Sequence, residues 1–419
     1  MNTDNLKQQE QIQVRKPKST INSSILLPSS KSESNRSLII DALTGHQCQL
    51  INLSEARDTQ TMIRLLKSEG KILDVLDAGT TMRFLTSYCA LTNKLKTLTG
   101  TERMQERPIK ILVDALREIG ADIDYLNQEG YPPIESKGFT GQKKSEISIP
   151  GDVSSQYISA LIMVAPYLNN GLNLRLTGKI GSKPYIEMTL QLMRQFGADA
   201  KFISDDTIQV KPGTYLPSSY QIESDWSGAS YWFSIVSLME GSKVELLGLR
   251  KNSLQGDIKI VEIMSKLGVK STFVEDGIIL EHCATKKETS IDFSDCPDLA
   301  QTVIALCAAK GIKCEMTGLE SLRIKETDRI AAMQTEIQRF GAQLIENDSK
   351  DKWEVIPAPT NWEKNFNYID FDTYDDHRMA MALAPLAIVL PVNIKEPIVV
   401  NKSYPRYWEN LLQAGFEIK

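Results

Sequence analysis

The chain lacks the usual marks of a metal, disulfide, membrane or nucleic-acid protein. Its six cysteines (48, 89, 283, 296, 307 and 314) show no CxxC spacing, and its three histidines (46, 282 and 377) are far apart. A structural zinc site is therefore not expected, and a disulfide framework has no support. Cys89 and Cys307 fall in apolar helical patterns and read as buried thiols. The longest apolar run, Met379 to Val392, has 14 residues and contains Pro385 and Pro391. A bilayer span needs roughly 20. The first twenty residues are polar and rich in Gln and Lys, with no apolar core of a secretory signal. Excess positive charge is absent too. The net charge is −5 and the pI about 5.5, which speaks against binding nucleic acid through bulk charge. The expectation is a reduced, cytoplasmic, metal-independent protein. Any anion site must be built locally.

With 419 residues, 42% hydrophobic and 24% charged, the chain is long enough for two or more domains with real cores. A repeat organises it. Gly70, Gly120, Gly197, Gly268, Gly341 and Gly415 each end an amphipathic helical stretch, with separations of 50, 77, 71, 73 and 74. Short strands ending in turns precede most of them, at Gly100, Gly178, Gly248 and Gly318. Further upstream, each unit opens a first helix with small or capping residues. These starts are Ser32 to Arg36, Ala78 to Arg83, Ser154 to Gln156, Ser227 to Ser230, Pro297-Asp298 and Asp375 to Arg378. Each repeat reads strand, helix, strand, helix, then short strands, an α/β unit that needs neighbours to bury its helices. Six polar helix starts in phase, several carrying Arg, Lys or Asp, are expected to converge on one place.

The sharpest stretch is Leu322 to Arg329, which holds three cations, two carboxylates and a hydroxyl ahead of a helical pattern. Ile330, Met333, Ile337 and Phe340 give that helix its apolar face, and Gly341 its stop. Thr327 is the expected N-cap, with Asp328 in the first turn. Backbone N–H groups at such a start, beside Lys325 and Arg329, would seat an anion. A domain boundary is expected between Leu216 and Gly228, with three repeats on either side. One domain would cover residues 29–224. The other would cover 225–419 together with an N-terminal segment, 1–28, that returns to it.

The motifs Lys31-Ser-Glu-Ser-Asn-Arg36, Ala78-Gly-Thr-Thr-Met-Arg83, Arg103-Met-Gln-Glu-Arg-Pro108, Val153-Ser-Ser-Gln156, Leu322 to Arg329 and Asp376-His-Arg-Met379 resemble, in order and over nearly the full length, the 5-enolpyruvylshikimate-3-phosphate synthase family. The resemblance implies a two-domain inside-out α/β barrel of six βαβαββ-type repeats, three per domain, with the active site in the interdomain cleft. It implies transfer of the enolpyruvyl group of phosphoenolpyruvate to the 5-hydroxyl of shikimate 3-phosphate, releasing phosphate, in aromatic amino acid biosynthesis. No metal or organic cofactor is implied, and no nucleic-acid or membrane partner; a monomer is expected.

Carried over by motif, Lys31, Ser32, Arg36, Ser154, Ser155, Gln156, Ser182, Tyr185, Asp298 and Lys325 would hold shikimate 3-phosphate. Lys31, Gly79, Arg107, Gln156, Arg329, Arg378 and Lys402 would hold phosphoenolpyruvate. Asp298 would be the base on the 5-hydroxyl, and Glu326 would move a proton to and from the methylene carbon, with Lys31 and His377 as helpers. Arg323 and Asp328 are expected to support the loop and cap the helix. The chain departs from the family's pattern at Asp77, where an asparagine is frequent; a carboxylate there repels an anion unless it turns away. It departs also at Phe84, Ser321 and Ser29.

Two rival readings are weaker. A UDP-N-acetylglucosamine enolpyruvyl transferase shares the sixfold design but usually shows a Lys-Asn pair and a reactive loop cysteine. Here Lys31 precedes Ser32, and no cysteine lies between Cys89 and Cys283. A non-catalytic repeat protein that binds phosphorylated ligands would have no need of Asp298 and Glu326.

Overall fold

The computed structural model describes residues 9–419; the first eight residues of the polar lead-in lie outside the described residues. The chain divides into two compact units, one of residues 29–222 and one of residues 9–28 with 223–419. The division falls two residues before the expected Asp225. Glu223 and Ser224 already belong to the second unit: Glu223 accepts from the Trp226 indole (2.8 Å) and the Arg250 N–H (2.7 Å).

In the unit of residues 29–222, the second and third repeats each form a four-stranded sheet. In the second, Ile72–Asp74 and Thr97–Thr99 pair in parallel around the helix Gly79–Leu91. The hairpin Ala121–Tyr125 and Ile134–Phe139 then joins antiparallel. The third repeat follows the same plan with Glu146–Pro150, Leu172–Thr177, Ala200–Phe202 and Thr207–Val210. The first repeat is shorter. Its second strand, Gln49–Ile51, pairs with Ser219–Gln221 from the far end of the unit, and no closing hairpin follows.

In the other unit, the N-terminal segment supplies strands to two sheets. Asn22–Leu26 pairs in parallel with Lys243–Leu247 as the first strand of the fourth repeat. Gln11–Arg15 lies between Val392–Lys395 and Glu417–Ile418 and completes the sixth. The fifth repeat is continuous in sequence, from Glu288–Asp292 to Lys352–Ile356.

Burial explains the layering. The first helices are covered all round: in Gly79–Leu91 only Thr80 is not buried, and in His377–Leu383 every residue is. A helix apolar or small on every side belongs in a core. Second helices such as Lys110–Ile119 bury one stripe, Leu112, Val113, Ala115, Leu116 and Ile119. Strands such as Leu172–Thr177 alternate buried and open positions, so each sheet turns one face to the helices and one outward. Helices are inside and sheets outside in each unit. Fully buried rings, Trp226, Trp232, Tyr404, Tyr407 and Trp408, fill the core of the second unit. Each large apolar side chain so covered contributes roughly 1.5–3 kcal/mol.

The repeat glycines have a local cause. Gly120, Gly197, Gly268, Gly341 and Gly415 all lie at positive φ, from 86° to 128°, just past a helix end, a conformation that side chains resist. Gly70 does not; its helix, Arg57–Leu66, has already ended at Lys67.

Candidate active site

In residues 29–222 the expected residues gather at the starts of helices. Ser30 caps Lys31–Leu43, accepting from the Glu33 N–H at 3.4 Å. That places Lys31 in the first turn, where its Nζ meets Asp58 Oδ2 at 3.0 Å. Asp58 carried no expectation from sequence; an acidic residue in the first turn of Arg57–Leu66 was the available signal. Arg36 lies one turn further on and is 2% exposed. It donates to the Ser32 carbonyl (3.1 Å), Thr189 Oγ1 (2.6 Å), Ser159 Oγ (3.2 Å) and the Tyr185 carbonyl (3.4 Å). Its guanidinium also lies over the Phe84 ring, so the residue that departs from the family pattern packs against a site cation. Burial draws the Arg36 guanidinium down to about 10, with Tyr185 and Glu33 pulling the other way. Arg36 thus ties the first helix to the helices Ser155–Val164 and Lys183–Gln195.

Ser154 caps the third of these starts, accepting from the Gln156 N–H at 3.4 Å, and Gln156 Nε2 donates to Thr80 Oγ1 at 3.0 Å. Ser155 is buried in the first turn. Ser182 takes left-handed geometry (φ 52°) ahead of Lys183–Gln195, with Tyr185 in the first turn. Gly79 opens Gly79–Leu91, and the Arg107 guanidinium lies over it. A Cβ at position 79 would sit 2.8 Å from Arg107 Nη1, so a larger residue would push the guanidinium off the helix start. Asp77 turns to Arg57, whose Nη2 donates to it at 2.8 Å. The carboxylate that departs from the family pattern is therefore paired with a cation.

In the unit containing residues 223–419, charges alternate around Arg329. This arginine is 2% exposed and opens the helix Arg329–Gln338. It donates through Nε to Asp376 Oδ2 (2.7 Å), through Nη2 to Glu326 Oε2 (2.9 Å), and through Nη1 to Asp298 Oδ1 (3.3 Å). Asp298, on the turn ahead of Ala300–Lys310, also accepts from Arg378 Nη2 at 2.8 Å. Glu326 Oε1 lies 3.7 Å from the buried Lys402 Nζ. Asp376 caps His377–Leu383 by accepting from the Arg378 N–H at 2.8 Å, so one carboxylate fixes both arginines. Arg378 reaches Ser227 Oγ (3.4 Å), and Ser227 donates to the buried Asp257.

The electrostatics follow. Burial pushes the Asp298 carboxyl up, but Arg378, Lys325 and Arg329 outweigh it and hold it below the usual carboxylate range. Burial disfavours the charge on Arg329, yet Asp376 and Glu326 prevail and its pKa lies above the ordinary value. Asp257 goes the other way: burial first, then the Asp298 charge, push it up to about 7. Asp298, Glu326, Arg329, Arg378 and Lys402 are thus brought together, beside Lys325. Asp376, Asp257 and Ser227 complete the cluster without having been assigned roles from sequence. Asp376 was legible as a helix cap; its bond to Arg329, 47 residues away, was not.

Of the two caps the sequence offers, the structure selects one. Asp328, not Thr327, is the N-cap of the fifth repeat's second helix: Asp328 Oδ1 accepts from the Ile330 and Ala331 N–H groups, both at 3.1 Å. A carboxylate one residue later reaches two orphan donors at once, and its charge suits the helix dipole better than a hydroxyl. Arg323 supports this start as expected, bonding Asp328 (3.3 Å) and both oxygens of Glu346 (2.6 Å each).

Comparison with known proteins shows the family. The family model described as EPSP synthase (3-phosphoshikimate 1-carboxyvinyltransferase) matches residues 15–74 and 66–411. A 3-phosphoshikimate 1-carboxyvinyltransferase of Bacteroides fragilis is 50% identical over 411 residues, 96% of this chain and 97% of the relative. One of Haemophilus influenzae is 36% identical over 426 residues, covering 94% and 96%. An EPSP synthase structure from Acinetobacter baumannii superposes with a TM-score of 0.77 at 20% identity, covering 98% of this chain and all of that one, and so shares the fold. On this full-length match, the chain belongs to the EPSP synthase (3-phosphoshikimate 1-carboxyvinyltransferase) family.

Proposed function

We propose that this enzyme transfers the enolpyruvyl group of phosphoenolpyruvate to the 5-hydroxyl of shikimate 3-phosphate, with release of phosphate, as a cytoplasmic monomer. The observation that carries the reading is the Arg329 guanidinium shared by Asp298 and Glu326 at 3.3 and 2.9 Å, in a chain of this family. Two carboxylates held by one cation can serve the two proton transfers of a turnover separately. Arg378 and Lys402 add the charge that a substrate with a phosphate and a carboxylate requires.

Roles divide as follows. Lys31, Ser32, Arg36, Ser154, Ser155, Gln156, Ser182, Tyr185 and Lys325 bind shikimate 3-phosphate. Lys31, Gly79, Arg107, Gln156, Arg329, Arg378 and Lys402 bind phosphoenolpyruvate. The 5-hydroxyl oxygen attacks C2 of phosphoenolpyruvate, and its proton passes to Asp298. C3 gains a proton from the Glu326 side and becomes a methyl group, which leaves C2 as a tetrahedral ketal phosphate. Glu326 then takes a proton back from that methyl group as the C2–O bond to phosphate breaks and the vinyl ether forms, and the hydroxyl proton held by Asp298 leaves with the phosphate. Lys31, paired with Asp58, assists as a charged donor.

Proton NMR of the protein with both substrates tests this. The vinyl ether of the product should appear as phosphoenolpyruvate disappears, and in heavy water deuterium should enter the methylene carbon through the methyl intermediate. Consumption of phosphoenolpyruvate with no deuterium in that carbon would rule out the addition–elimination route.

A further inference from the structure

The turn ahead of the anion-binding arginine Arg378 is strained. Tyr374 and Asp375, neither of them glycine, both lie in left-handed backbone geometry, at φ 55° and 51°. Such residues persist only where their surroundings hold them, and they cluster where a precise geometry is required. Directly after them come Asp376, His377 and Arg378. Asp376 caps their helix and bonds Arg329.

The turn is held at its other end by Glu336, a wholly buried carboxylate on the helix Arg329–Gln338. Glu336 Oε2 accepts from the Asp372 N–H at 3.1 Å, and Oε1 accepts from the Tyr374 hydroxyl at 2.6 Å. Arg339 balances its charge through Nε (2.8 Å) and Nη2 (3.0 Å), and also reaches Asp372 Oδ2 (2.7 Å). Lys395 pairs with the same aspartate at 2.6 Å. Seven residues separate Arg329 from Glu336, two turns of helix, so both lie on one face. Two bonds from that face therefore bracket the turn: Arg329 to Asp376 at one end, Glu336 to Asp372 and Tyr374 at the other.

We propose that Glu336 is a positioning residue: by clamping the left-handed turn Asp372–Asp375 to the helix that carries Arg329, it sets the relative placement of Arg329 and Arg378. Glu336 touches neither arginine and acts through the backbone of the turn. The inference rests on the assignment of those arginines to phosphoenolpyruvate. A misplacement of about 1 Å by a remote change can cost ~10²-fold in rate.

The test is steady-state kinetics of the whole enzyme with both substrates varied, on Glu336→Ala, Glu336→Gln, Tyr374→Phe and Arg329→Ala. Glu336→Ala should raise the KM for phosphoenolpyruvate by up to ~10²-fold. Glu336→Gln, which keeps the acceptor oxygen but not the charge, should raise it by roughly 10-fold, and Tyr374→Phe by about 3-fold. The KM for shikimate 3-phosphate should stay within about 2-fold in all three. Tyr374→Phe leaves no buried charge unpaired and keeps the test open if a Glu336 variant does not fold. Both KM values rising together, or kcat falling with both unchanged, would mark a merely structural role and overturn the assignment, as would an unmoved phosphoenolpyruvate KM in the variants that fold. If Arg329→Ala itself leaves that KM unchanged, the subsite assignment is what has failed.

Discussion

Replacing Asp298 with asparagine keeps its shape and removes its charge and basicity. The structure sets the size of the effect. A positioned acid or base is worth about 10²–10⁴-fold. Asp298 should lie at the lower end, because Arg378 at 2.8 Å and Arg329 at 3.3 Å hold its carboxyl below the ordinary range and make it a weak base. A fall in kcat of about 10²-fold is expected, ~2.7 kcal/mol at 1.36 kcal/mol per decade. The fold should tolerate the change. Arg329 keeps Asp376 and Glu326, and Arg378 keeps Ser227 Oγ and the carbonyl of residue 298. The loss should stay below the roughly 3–5 kcal/mol seen when a buried ion loses its partner. The assay is stopped-flow or steady-state product formation with both substrates saturating, beside calorimetric binding of each. Ligands should still bind, and the Asp298→Ala variant should behave alike. Turnover within about 5-fold of the parent would remove Asp298 from the role of base.

Three further perturbations have distinct signatures. Arg329→Ala should weaken phosphoenolpyruvate binding more than shikimate 3-phosphate binding by calorimetry; the reverse order would exchange the two subsites. Asp257, raised to about 7 from 3.8, contributes stability that is full below about pH 4 and lost as the pH rises through about 7. Asp257→Asn should therefore raise the melting temperature more at pH 8 than at pH 5, with a ceiling of about 4 kcal/mol; an equal change at both would contradict the raised value. Arg57→Ala leaves the Asp77 carboxylate without its 2.8 Å partner and should raise the phosphoenolpyruvate KM about 5-fold, on the order of 1 kcal/mol. Adding Asp77→Asn should restore it, and failure to do so would place the effect elsewhere.

What could be read from the sequence was local. The glycines after the second helices and the capped starts of the first helices follow from backbone geometry within four or five residues, so the sixfold repeat was legible. Partners distant in sequence were not. Nothing in the order of residues links Arg329 to Asp376 or Arg36 to Thr189, and these bonds decide which cations are held and which carboxylates they hold. The return of residues 1–28 to the later repeats was expected, but not the place of Gln11–Arg15 between Val392–Lys395 and Glu417–Ile418, which depends on pairing across 378 or more positions. The shortened first repeat was hidden for the same reason, since Ser219–Gln221 replaces a strand that local pattern would place ahead of Lys31. Thr327 and Asp328 were both read as caps from sequence, and only geometry shows that Asp328 is the one that reaches two N–H groups.

The identity of the acceptor is read from inorganic phosphate release. The protein with phosphoenolpyruvate and shikimate 3-phosphate should release one phosphate for each shikimate 3-phosphate consumed, and none when UDP-N-acetylglucosamine replaces it. Release with UDP-N-acetylglucosamine and not with shikimate 3-phosphate, or with neither, would rule out shikimate 3-phosphate as the acceptor.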